Sequence, residues 1–241
     1  MSKRSVLLAT ENKKAIEHLI TYLQDTESVP TVIRRKSDLA AISSCEPDLI
    51  FVESEWVDKR VANRLDQLKA SRPKLGCFGL GARGQGRYAW DGVIDFPVDE
   101  RQFQKTVFSK IDLPHPLRLL VVDDEPEVGT TLRDYFEGLK GADFEIRTAS
   151  NGLEGFKAVE QMVPHCMILD IKMPVRSGVE LYRDLCRAGY RIPTIFFIDS
   201  TASDDIREIR KWGMPVFVEK GGWQGSMPEM LALVKKLVAF S

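Results

Sequence analysis

Short apolar runs alternate with amphipathic stretches through the second half of this chain, and that alternation constrains the fold more than any other feature. Leu119-Leu120-Val121-Val122 is an apolar run that ends in acids. Pro126 suits the first turn of a helix, and Val128, Leu132, Tyr135, Phe136 and Leu139 recur at helical spacing. Phe144 to Thr148 alternates as a strand does, and Asn151 can cap a helix running through Met162. Cys166-Met167-Ile168-Leu169 reads as a buried strand, with a helix following from about Val179 to Arg187. Thr194 to Ile198 is a further strand and Ala202 to Trp212 a polar helix. Val216-Phe217-Val218 and an amphipathic stretch from Met227 to Val238 complete the set. Five strands alternating with five helices predict a parallel sheet covered on both faces.

The first half repeats this plan. Ser5 to Ala9, followed by Ile16, Leu19, Ile20, Tyr22 and Leu23, mirrors Leu119 onward. Thr10 and Glu11 fall 113 residues before Asp123 and Asp124. Pro47 to Glu53 precedes Pro164 to Asp170 by 117 residues. Gly92 to Asp95 and a helix from Asp99 to Ile111 match the last strand and helix. A repeat of this length means two similar domains, because solenoid periods run only ~20–50 residues. Pro114 and Pro116 stiffen the connection between the copies. The reading is a first domain over 1–112, a linker over 113–116 and a second domain over 117–241.

Strand ends are where such sheets do chemistry, since ligands sit beyond the carboxyl ends of parallel strands. Asp123 and Asp124 end the first strand of the second half, and Asp170 ends the third. Neighbouring strands would bring three carboxylates together, and their repulsion raises one another's pKa. A hard divalent cation relieves that repulsion, and Mg²⁺ suits oxygen ligands. Lys220, at the end of the fifth strand, would direct a compact positive charge at the same place. An Asp-Asp pair can also do no more than cap the following helix.

Residues 117–241 resemble the receiver domain of two-component response regulators, which has the flavodoxin-like (βα)5 fold. The matching residues are Leu-Leu-Val-Val-Asp-Asp-Glu-Pro, then Met-Ile-Leu-Asp170-Ile-Lys-Met-Pro174 with Gly178, then Val-Phe-Val-Glu-Lys220. The resemblance implies that Asp170 accepts a phosphoryl group from a phosphohistidine. It implies that Asp124 binds Mg²⁺ directly, Asp123 mainly through water, and Lys172 through its backbone carbonyl. Lys220 would pair with a phosphoryl oxygen. Phosphoryl transfer of this kind needs positioning and charge stabilisation above all.

Two positions depart from the family. Where it places Thr or Ser at the end of the fourth strand, this chain has Ile198, whose side chain cannot donate a hydrogen bond. Asp199, Ser200 and Thr201 follow and could substitute through a shifted loop. Gly221 stands where the family places Pro after the Lys, and Phe217 occupies the position of its aromatic switch residue. The first half resembles a receiver that has lost its chemistry. Glu53 stands at the acceptor position, Thr10 and Glu11 replace the acidic pair, and Phe96 replaces the Lys. Gly79-Leu-Gly81-Ala-Arg-Gly84 matches GxGxxG only formally, since it follows a fourth strand and not a first. Arg83 and Arg87 could contact an anion or a partner. Trp56 and Trp90 are interface candidates if exposed and core residues otherwise.

The composition narrows the alternatives. A net charge of −1 argues against a dedicated nucleic-acid binder. Four cysteines without a CxxC and three histidines make a zinc site improbable. The N-terminal apolar run is too short for a signal peptide, and no run approaches the ~20 apolar residues of a membrane span. With the resemblance, the chain reads as a cytoplasmic signalling protein without an output domain in this chain, catalysing only its own phosphorylation and dephosphorylation. Its partners would be a histidine kinase or phosphotransfer protein and a downstream protein, and the resemblance is compatible with a dimer. The first domain would dock a partner or the second domain. Two other readings stand beside this one: an adaptor indifferent to phosphate, and the regulatory part of a longer regulator with an enzymatic or DNA-binding output.

Overall fold

The computed structural model describes residues 4–24, 26, 28–44, 46–81, 88–139, 143–198, 203–221 and 227–240. It divides into two compact units, Met1–Asp112 with Ala239–Ser241, and Leu113–Val238.

The second unit carries β6 (Leu117–Val122), α4 (Pro126–Glu137), β7 (Phe144–Ala149), α5 (Gly152–Gln161), β8 (Cys166–Asp170), α6 (Gly178–Arg187), β9 (Thr194–Ile198), α7 (Ser203–Ile209), β10 (Val216–Glu219) and, as far as Val238, α8 (Met227–Phe240). The strands lie in the order β10-β9-β8-β6-β7, and every pair is parallel. Taken in chain order within the unit this is the 2-1-3-4-5 arrangement of the flavodoxin-like fold. The apolar runs are continuous because both faces are covered. Leu119, Val121, Cys166, Ile168, Ile195 and Phe197 pack into one core cluster. Leu120, Val122, Met167, Leu169 and Phe196 alternate with them into the other. Phe196 and Phe197 are fully buried, each contributing roughly 1.5–3 kcal/mol of burial. Local signals agree with this packing. Asn151 Oδ1 accepts from the N–H groups of Leu153 and Glu154 at 3.0 Å each. Ser177 and Glu180 form a reciprocal capping box at the start of α6.

The first unit has the same sheet. Its strands are β1 (Val6–Ala9), β2 (Thr31–Ile33), β3 (Leu49–Glu53), β4 (Gly76–Leu80) and β5 (Gly92–Ile94), parallel in the order β2-β1-β3-β4-β5. Its helices are α1 (Lys13–Leu23), α2 (Lys59–Ser71) and α3 (Glu100–Phe108). The repeat is therefore incomplete on the helical side. A 3-10 run over Lys36–Ser44 replaces the second helix. No helix is present among the described residues between β4 and β5, and Arg83, Gly84 and Arg87 lie outside them. The Ala202–Trp212 helix is also shorter than expected, ending at Ile209. Trp56 is buried in the first unit's core, with Trp90 packed beside it. Tyr88 meets Trp90 edge-on at 4.8 Å. Both indoles thus belong to the packing of this unit. No helix among the described residues is long and apolar enough to cross a membrane.

Candidate functional site

Strand register builds the site. Val122 pairs with Leu169, so the residues that follow, Asp123 and Asp170, stand side by side at the carboxyl end of the sheet. Asp170 pairs with Phe197, and Phe197 with Val218. Two residues beyond Val218 is Lys220, whose backbone N–H donates to the Ile198 carbonyl at 2.9 Å. The chain thus delivers an ammonium to two acids from separate segments. Lys220 Nζ lies 3.2 Å from Asp170 Oδ1 and 3.2 Å from Asp123 Oδ2. It donates to Glu125 Oε1 at 3.0 Å.

Asp170 is only 5% exposed and Asp123 7%. Burial pushes the Asp170 carboxyl up from the ordinary 3.8 to about 6, against the pull of Lys220 and with a further push from the Asp123 charge. Asp123 is raised too, first by burial, although the Glu125 backbone N–H and Lys220 oppose it. For Lys220, burial alone would lower the pKa, but the bond to Glu125 and the charges of Asp123 and Asp170 outweigh it and the net shift is upward. The site is strained electrostatically, with one half-buried cation set against two buried acids.

Asp123, Asp124 and Asp170 each offer a carboxylate oxygen, and these oxygens lie within 4.8 Å of one another. Asp123 divides its work. Oδ1 accepts from the Glu125 N–H at 3.0 Å, a local turn bond at the entry to α4. Oδ2 is buried and accepts no aligned hydrogen bond among the described residues, so its contact with Lys220 is an ion pair. An oxygen-only set with a buried oxygen held by an ion pair alone and a raised carboxyl suits a hard divalent cation. Asp124 is exposed and shares the lining of an open cavity with Lys172 and Pro174.

The sequence motif acquires a physical reason at Gly178. A Cβ there would meet the Asp170 carbonyl oxygen at 1.9 Å, while the Gly178 N–H donates to the Ile171 carbonyl at 2.9 Å. The loop after Asp170 folds back so tightly that only hydrogen fits. Arg176 holds the same loop, paired with Asp184 and with its guanidinium 5.2 Å from the centre of the Phe156 ring.

The altered positions are also placed. Ile198 packs, partly buried, on the Phe196 side of the sheet. Phe217 stacks on Phe196 at 5.7 Å, with Arg210 5.8 Å from its ring centre. Gly221 has open space around it. Asp199, Ser200 and Thr201 lie outside the described residues. Glu125 escaped the sequence reading, although its signal was available: a third acid directly after the pair, before Pro126.

In the first unit Ala9 pairs with Val52 and Leu80 with Ile94. The same register therefore sets Thr10, Glu53 and Phe96 where the second unit has Asp123, Asp170 and Lys220. Thr10 Oγ1 donates to Glu53 Oε1 at 3.0 Å, and the Asn12 N–H donates to Thr10 Oγ1 at 3.0 Å. Phe96 lies against Gly81, 3.7 Å from where a Cβ would stand. Glu11 is exposed.

Residues 119–232 match the response regulator receiver domain. Similar curated proteins include the transcriptional regulatory protein RprY of Bacteroides fragilis, 32% identical over 110 residues, covering 46% of this chain and 45% of that protein. Another is the probable C4-dicarboxylate response regulator DctR of Priestia megaterium, 33% identical over 93 residues and 39% of each chain. A protein-glutamate methylesterase/protein-glutamine glutaminase of Rhodopseudomonas palustris is 43% identical over 63 residues, 26% of this chain and 17% of that protein. The chain thus spans less than half the length of these relatives. Among solved structures, the response regulator domain of Thermotoga maritima CheB is 21% identical with a TM-score of 0.44, covering 51% of this chain and 96% of that one.

Proposed function

We propose that the chain is a two-component response regulator whose receiver domain, over 117–241, accepts a phosphoryl group on Asp170. In this reading residues 1–112 are a degenerate receiver used for docking a partner or the second domain, and 113–116 link the two. The donor is a histidine kinase or phosphotransfer protein. The observation that carries the reading is Lys220 Nζ standing 3.2 Å from both Asp170 and Asp123 at one sheet end.

An Asp170 carboxylate oxygen forms a bond to phosphorus as the P–N bond of the phosphohistidine breaks, and the departing imidazole takes up a proton. Lys220 turns from the carboxylates towards a phosphoryl oxygen and offsets the added charge. Asp123, Asp124 and Asp170, with the Lys172 carbonyl, would hold Mg²⁺, which would supply charge neutralisation to the phosphoryl oxygens. Lys220 keeps Asp170 more ionised at neutral pH than burial alone would allow, and the ionised form is the nucleophile. Incubating the whole chain with a small phosphodonor and Mg²⁺ tests this. The expected result is labelling that is lost in Asp170→Ala; equal labelling of that variant would refute it.

Ile198 supports a second reading, an interaction module that does not switch through phosphate. The side chain at that position packs into the core region and has no hydroxyl to meet a phosphoryl group. Under this reading a beryllofluoride adduct leaves solution scattering and partner affinity unchanged, and a clear shift in either rejects it.

A further inference from the structure

The repeat supplies an internal control for an unexpected cavity. In the second unit α5 packs closely on α6. A Cβ at Gly155 would stand 2.9 Å from the Leu181 side chain and 3.1 Å from Val122. In the first unit the 3-10 run Lys36–Ser44 occupies the place of α5, and α2 the place of α6. Between that run and α2 lies a cavity of about 630 Å³, within the ~300–1,000 Å³ range of small-ligand sites.

Its lining is sorted by chemistry. Leu39 and Ile42, both buried, and the half-buried Val61 present an apolar floor. Lys36 stands on one rim, and Arg60 and Arg64 follow one another by a helical turn on the other. Asp58 is the one acid in the lining, and it is already engaged. It caps α2 through the Arg60 and Val61 N–H groups at 3.0 Å each and faces Lys36 at 3.6 Å. Among the described residues Arg60 and Arg64 have no carboxylate partner. Asn63 and Gln67 continue the same face of α2, each offering an amide donor and acceptor. Gln67 lies about 10 Å further along the helix than Arg60.

Unpaired guanidinium groups bind phosphate or carboxylate. An apolar floor selects a flat ring over a sugar, and side-chain amides read the edge of a heterocycle. We infer that the first unit binds a nucleotide in this cavity, its phosphate on Arg60, Arg64 and Lys36 and its base over Leu39, Ile42 and Val61. None of Thr10, Glu53, Gly79 and Gly81 lines this cavity. It would give the degenerate unit an input of its own, beside the phosphoryl input of the second unit.

Calorimetric titration of the whole chain in EDTA tests this, with ATP, GTP, AMP and cyclic AMP as probes. Pyrophosphate and a poly-glutamate peptide serve as controls of charge alone. At least one nucleotide should bind at least about tenfold more tightly than pyrophosphate, a margin of about 1.4 kcal/mol. The double variant Arg60→Ala/Arg64→Ala should lose roughly a hundredfold in affinity. Both positions are exposed and Ala favours helix, so an unchanged circular dichroism spectrum and unfolding curve are expected alongside. Binding by Asp170→Ala should match wild type. The inference is overturned if no nucleotide binds more tightly than about 1 mM, or if the arginine variant binds as well as wild type. It is also overturned if pyrophosphate or the acidic peptide binds as tightly as the best nucleotide.

Discussion

Replacing Asp170 by Asn should stabilise the metal-free protein, and by an amount that depends on pH. Burial raises the Asp170 carboxyl from 3.8 to about 6. A carboxyl raised in the folded state binds more protons folded than unfolded, so stability falls as pH rises between the two values. The penalty is absent below the unfolded pKa and complete above the folded one. A difference of about two units corresponds to about 3 kcal/mol above pH 7. At about pH 4.5 the same linkage leaves only about 1 kcal/mol. Asn at 170 carries no charge to ionise, and it removes the like-charge push on Asp123. Asp170→Asn should therefore exceed wild type by about 3 kcal/mol at about pH 7.5 in EDTA and by about 1 kcal/mol at about pH 4.5. Hydrogen exchange of the 166–170 segment under graded urea reads this, because it reports on the second unit separately. A variant no more stable than wild type at the higher pH, or a gap that does not change with pH, would refute the electrostatic account of the site.

Gly178→Ala should destabilise the second unit by about 3 kcal/mol and abolish labelling, since its Cβ would strike the Asp170 carbonyl at 1.9 Å; urea unfolding and phosphodonor labelling check both. Lys220→Met should slow labelling by roughly 10²–10³-fold and raise the Asp170 pKa in EDTA, followed by carbon NMR titration of the carboxyl. Ser177→Ala removes the cap of α6 and should cost about 1 kcal/mol in urea, with labelling retained; loss of labelling would mean that the cap also positions the loop after Asp170.

The parallel sheet of each unit was legible because burial on both faces leaves continuous apolar runs such as Leu119–Val122 and Cys166–Leu169. The acids at their ends were legible because strand ends are the only places where such runs can stop at a charge. Helical detail was harder to read. Lys36–Ser44 has no apolar periodicity that separates an α-helix from a 3-10 run, so the missing second helix of the first unit, and the cavity it leaves, were invisible. Glu125 was missed because its role depends on where Lys220 arrives, and Lys220 is 95 residues away. Gly178 could be matched to a family pattern but not explained, since its reason is a backbone approach made only in the folded chain.

The two units separate what holds this fold together from what makes it reactive. Register places Thr10, Glu53 and Phe96 where Asp123, Asp170 and Lys220 stand, yet both sheets keep the same order. A neutral hydroxyl donating to a single carboxylate, as Thr10 does to Glu53, needs neither a counter-ion nor a metal. The second unit instead buries two acids against one lysine and carries a raised carboxyl as the consequence. A ligand that binds only the folded state would restore the stability that such an arrangement costs. The asymmetry between the copies, more than the presence of any one acid, is therefore what the proposed binding of a cation and a phosphoryl group at the second site would account for. In the first unit Thr10, Glu53 and Phe96 at the matching positions set up no such demand.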